Sequence, residues 1–138
     1  MIAHSDWKEA GVFEATSESG NTIVFDTDAP YAHGATPMEA VLMALCSCTS
    51  VDVVSILRKK RQALTALRES ARAERADDAP RVFTRIHLVY EVRGQLSRKA
   101  VEDAVSLSKN KYCSVSKMLE KAVEIDYEIA YPDGEPEA

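Results

Sequence analysis

Residues 42–54, LMALCSCTSVDVV, set two thiols and a carboxylate in a run otherwise suited to hydrophobic packing, and a third thiol follows in KYCSVSKM. Thiols in such positions can ligate a metal, act as redox nucleophiles, or simply fill space. Helical spacing weighs against the first. At about 100° per residue, Cys46 and Cys48 point some 200° apart, a poor geometry for chelating one ion. No second Cys or His cluster stands ready to complete a zinc site. Neither a metal nor another cofactor is expected. Asp52 falls one turn after Cys48 on the same face. A carboxylate there would oppose ionisation of the thiol, so its expected role is to hold a backbone amide or a cation. Cys113 sits at or just before a helix start, where unpaired N–H groups favour a thiolate, and Lys111 is close by. Core packing is the plain alternative for every thiol, and it is the expected role of Cys46.

The elements that must carry these groups follow from pattern. Residues 6–15 and 21–27 read as strands joined by a turn at Ser19-Gly20-Asn21. After the loop DAPYAHGA, Thr36 as N-cap, Pro37 at the first helical position and Glu39 three residues after the cap open a helix that runs to about Arg61. Residues 66–76, ALRESARAERA, favour helix by composition. Residues 82–92 alternate as a strand. Ser97 caps a helix to about Lys109, and a second helix from about Cys113 to Ala122 turns Val115, Met118 and Leu119 inward. Residues 123–131 alternate as a last strand, and YPDGEPEA is a loose end.

With 138 residues, one domain spanning 1–138 is expected, large enough for a core without disulfide staples. A net charge of −5 argues against nucleic acid and gives no reason to expect an anionic membrane as partner. Sixteen of the seventeen Lys and Arg lie from Arg58 onward, leaving Lys8 alone before it. The odd number of Cys and an N-terminus unlike a secretory leader point to a reducing, cytoplasmic setting. The apolar run 40–57 is interrupted by Asp52 and four hydroxyl residues, so it reads as a buried central helix and not a membrane span. That helix is apolar on nearly every side, more than one sheet can cover, which calls for a second subunit.

The frame G-x-x-P-x-E (Gly34 to Glu39), Cys48 eleven residues after the proline, and the late KYCSVSKMLEKA together resemble the OsmC/Ohr family. The runs CTSVDVVSILRKKRQ, APRVFTRIHLVYEVRG and SKNKYCSV are similar to its YhfA-like branch. The resemblance spans essentially the whole chain. It implies an α+β fold of order β-β-α-β-β-α-α-β, with 66–76 a strand against propensity, in an intertwined homodimer with sites at the interface. It further implies reduction of organic hydroperoxides, with Cys48 the peroxidatic thiol, Cys113 the resolving thiol, and a dithiol reductant to reset the disulfide. Three positions depart from the family pattern. Met38 stands where peroxidase-type members carry a glutamate, with Glu39 one residue later, a candidate supporting residue whose capping role is also a sufficient explanation. The activating arginine has no counterpart before Arg58, which leaves His33 as the candidate for a partial positive charge. Cys113 is followed by Ser114, a possible helix cap, in place of proline. The loss of Glu and Arg, with Met38 and Met43 nearby, supports an alternative: a weakly catalytic or non-catalytic dimer that binds a small hydrophobic ligand. An inert dimer with structural cysteines is the third possibility.

Overall fold

A computed structural model describes residues 1–137, and the chain falls into two compact units, residues 1–42 and residues 43 onward. The first unit is an antiparallel sheet of β1 (Ala3–Glu9), β2 (Val12–Ser17) and β3 (Thr22–Asp26), in that order. The segment expected as one strand over 6–15 is therefore two. The pairs Lys8-Glu9 and Val12-Phe13 interrupt the alternation on either side of the reversal. The chain reverses at Ala10, where φ is +43°, and Gly11, where a Cβ would lie 2.6 Å from the Asp28 carboxyl carbon. The second hairpin turns where expected: Gly20 has φ +85°, and Ser17 N–H donates to Asn21 O at 2.9 Å.

The loop after β3 is organised by the buried Asp26 carboxylate. It accepts from Asp28 N–H at 3.0 Å and His33 N–H at 3.2 Å, and pairs with His33 Nδ1 at 3.0 Å. Gly34 lets the loop run against β3, since a Cβ there would meet Val24 O at 2.1 Å. Helix α1 (Pro37–Lys59) then opens on the reciprocal cap its sequence announces. Glu39 N–H donates to Thr36 Oγ1 at 3.2 Å, and Thr36 N–H donates to Glu39 Oε2 at 2.7 Å.

In the second unit β4 (Ala63–Arg75), β5 (Phe83–Gln95) and β6 (Glu124–Ala130) form a sheet in that order. β4 and β5 are antiparallel, whereas β6 runs parallel to β5. A parallel neighbour needs a crossover, supplied by α2 (Arg98–Leu107), a π turn over Ser108–Tyr112, and the short α3 (Ser114–Leu119). Strand 66–76 forms against its helical composition because alternate residues, Leu67, Glu69, Ala71 and Ala73, face inward against β5's partner row. The core joins the buried row Ile86, Leu88, Tyr90 and Val92 with Ala100, Val101, Ala104 and Val105 of α2. Ser97 caps α2 as expected, accepting from Ala100 N–H.

α1 contributes one stripe at helical spacing, Leu45, Thr49, Val53 and Leu57. The rest of its apolar surface is left uncovered in the single chain, as expected of a helix that one sheet cannot cover. Met43 and Val51 are 59% and 67% exposed. By length and apolarity α1 would also suit a bilayer. Thr49, Ser50 and Asp52 on it nevertheless bond to protein groups, as described below. The C-terminal segment, expected to be loose, is tied to the sheet and α2 by ion pairs of Arg93 with Asp133 and Arg98 with Glu135.

Candidate functional site

Cys48 lies on α1, half-buried, and Cys113 is fully buried at the junction of the π turn with α3. Tertiary folding brings the two thiols close enough to influence one another across 65 residues of sequence (113 minus 48). Both are free thiols. Cys113 is itself the N-cap of α3: its sulfur accepts from Ser116 N–H at 3.3 Å, a role the sequence allotted to Ser114. The expectation of a thiolate there is overturned. Burial, then the hydrogen bond to Cys48, pushes the Cys113 thiol up to about 12, which outweighs the backbone N–H groups of Ser116 and Val115 that pull the other way. Met118, expected inward, is 71% exposed, because α3 is only six residues long and buries Ser116 instead.

Asp52 points at the same junction, but its partner is a hydroxyl and neither an amide nor a cation. Ser108 Oγ stands 3.1 Å from Asp52 Oδ2 and 2.8 Å from the carbonyl oxygen of Thr49. The backbone of Cys113 is held in turn by Ser108, whose carbonyl accepts from Cys113 N–H at 2.8 Å.

A second polar cluster lies on the adjoining face of α1. Tyr90 Oη donates to Thr49 Oγ1 at 3.0 Å, Thr49 donates to Glu69 Oε2, and Ser50 Oγ donates to the same oxygen at 2.8 Å. Burial outweighs these hydrogen bonds and raises the Glu69 carboxyl from 4.5 to about 7. Its other oxygen, Oε1, is buried without a partner. Cys46 belongs beside this cluster: burial first, then the Glu69 charge, pushes its thiol up to about 11. Burial, with the Glu69 charge next, also raises the Tyr90 hydroxyl.

His33 and Glu39 lie in the first unit, and both are engaged locally, His33 with Asp26 and Glu39 with Thr36. The sequence reading missed Glu69, Ser108 and Tyr90. A signal for Glu69 existed, since it is the one charged residue in the inward phase of β4, though it shows only once that segment is taken as a strand.

A profile for OsmC-like protein matches residues 29–128, and the chain belongs to that family. Within it, the chain is 45% identical to Protein YhfA of Escherichia coli strain K12 over 132 residues, covering 94% of this chain and 98% of that one. An OsmC like protein from Mycoplasma pneumoniae superposes with TM-score 0.84 at 16% identity, covering 94% and 95% of the two chains. The organic hydroperoxide resistance protein OhrB of Bacillus subtilis superposes with TM-score 0.68 at 17% identity, covering 94% and 98%. These two likenesses show a common fold, so the α+β OsmC-like architecture expected from sequence is the one observed, with a third strand ahead of α1.

Proposed function

We propose that this chain, as a single OsmC-like domain over 1–138, reduces organic hydroperoxides through Cys48 and Cys113 in a cytoplasmic homodimer. The observation that carries the reading is that two free thiols from distant parts of the chain are neighbours in the fold, with Cys113 retaining its proton. The Cys48 thiolate attacks one oxygen of R–O–O–H. The O–O bond breaks, the alkoxide takes a proton to leave as ROH, and the sulfur becomes a sulfenic acid. The Cys113 sulfur then attacks that sulfenic sulfur, its proton leaves with the hydroxyl as water, and a disulfide remains. A dithiol reductant restores both thiols and departs as its own disulfide. While Cys48 is reduced, the Cys113 S–H can serve it as a hydrogen-bond donor.

The dimer rests on surface that one chain leaves bare. Trp7 and Ile23 are exposed in the first unit, and Met43 and Val51 in the second. Apolar side chains at such exposure are the expected ground for a second copy. The alternative, binding of a small hydrophobic ligand, draws on a groove of about 590 Å³ lined by Ser50, Val51, Val54, Ser55, Arg58 and Lys59.

The test is mass spectrometry of reduced protein given one equivalent of cumene hydroperoxide. A Cys48–Cys113 disulfide, with Cys46 still free and peroxide consumption lost in Cys48→Ser, is the expected result. Three unreacted thiols, or a Cys48→Ser variant that consumes peroxide as before, would overturn the peroxidase reading in favour of ligand binding.

A further inference from the structure

Ser108 occupies a place that neither packing nor helix propensity explains. It is fully buried, and its hydroxyl meets two acceptors on α1, the Thr49 carbonyl at 2.8 Å and Asp52 Oδ2 at 3.1 Å. Thr49 follows Cys48 directly, and Asp52 lies one turn beyond Cys48 on the same face. Ser108 also opens the π turn, and its own carbonyl receives Cys113 N–H at 2.8 Å. Two short hydrogen bonds, through one residue, therefore connect the backbone beside one thiol to the backbone of the other.

The π turn itself fits this role. In an α-helix Cys113 N–H would bond the Lys109 carbonyl, four residues back. Here it bonds five residues back, and the freed Lys109 carbonyl accepts from Ser116 Oγ at 3.0 Å. The wider turn is an uncommon conformation, found disproportionately at functional sites. Ser116 meanwhile donates its N–H to the Cys113 sulfur. The turn is thus pinned at its start by Ser108 and at its end by Ser116, with Cys113 fixed between them.

We infer that Ser108, clamped by the Thr49 carbonyl and the Asp52 carboxylate, is a positioning residue that holds Cys113 at the distance from Cys48 that disulfide formation requires. Its effect is on the effective concentration of one thiol at the other. The inference rests on the disulfide step of the reading above and not on the peroxide step.

The experiment is equilibration of the full-length protein in buffers of glutathione disulfide and glutathione. One glutathione disulfide accepts two electrons from the Cys48 and Cys113 thiols and leaves as two glutathiones, whose two protons come from the protein. The oxidised fraction, read by peptide mass spectrometry, gives the effective concentration directly. Ser108→Ala should lower it about tenfold, the order of one buried hydrogen bond, because the released π turn lets Cys113 leave the position from which the disulfide forms. Asp52→Asn keeps the packing and removes the charge, and should lower it about threefold. It serves as the measurable variant should Ser108→Ala not fold. Val101→Ala, a buried core change in α2, should reduce thermal stability while leaving the effective concentration unchanged. An unchanged redox equilibrium in both clamp variants, or an equal shift in Val101→Ala, would overturn the inference, as would wild-type protein that forms no Cys48–Cys113 disulfide at any glutathione ratio. A normal disulfide equilibrium without peroxide consumption would count against the peroxidase reading alone.

Discussion

Glu69 offers the sharpest test of how the site is built. Its Oε2 accepts from Thr49 and Ser50, while Oε1 is buried and unpartnered. When the carboxyl is neutral, the proton therefore resides on Oε1. Folding raises this group from 4.5 to about 7, chiefly through burial. A carboxyl raised in the folded state gives its full stabilising contribution below pH 4.5, and that contribution is lost as pH rises through 7. At about 1.4 kcal/mol per pH unit the full difference would be about 3 kcal/mol. The side chain keeps some contact with solvent, and screening reduces the expected effect to roughly 1.5 kcal/mol. Glu69→Gln preserves size and the oxygen that accepts both hydroxyls but does not titrate. Urea unfolding of both proteins at pH 5 and pH 8, at one fixed protomer concentration, measures the effect. The variant should start less stable at pH 5, since its amide NH₂ replaces Oε1 where no acceptor stands, and recover about 1.5 kcal/mol relative to wild type by pH 8. Stability curves that stay parallel across that range would refute the argument, because Glu69 would then be ionised in the folded protein throughout.

Two further outcomes follow from the same geometry. Cys46, with its thiol raised to about 11, and Cys113, raised to about 12, should alkylate at pH 8 roughly a hundredfold or more slower than a free cysteine of ordinary pKa near 8.5. Iodoacetamide labelling followed by peptide mapping would show this, and labelling of either at the free-thiol rate would contradict the burial described. On the bare face of α1, Val51→Asp should convert the proposed dimer to monomer by introducing a charge into an apolar contact. Light scattering coupled to size exclusion reads the mass, and a mass equal to that of wild type would place the interface elsewhere.

The sequence by itself determined the elements whose signals are local. Thr36, Pro37 and Glu39 specify the start of α1 because a capping box needs only residues three apart, and both of its hydrogen bonds form. Ser97 specifies α2 in the same way, and alternation specifies β5 and β6. The turn at Ala10-Gly11 carries only a weak local signal, a lone glycine between the pairs Lys8-Glu9 and Val12-Phe13 that break the alternation. Strand β4 was legible only through family resemblance, since Ala, Arg and Glu favour helix and pairing with β5 supplies what propensity does not. The candidacy of Cys48 and Cys113 was likewise visible as residue type. Tertiary structure alone decided what surrounds them. Whether a helix start lowers a thiol's pKa depends on how much water remains, and burial at Cys113 reverses the sign expected from its N-terminal position. Glu69, Tyr90 and Ser108 are ordinary residues in sequence. They become a titrating carboxyl, its hydrogen-bonded neighbour and a clamp because sheet pairing and one π turn bring them against α1, and hydrogen bonds and desolvation act through distances that no spacing along the chain encodes.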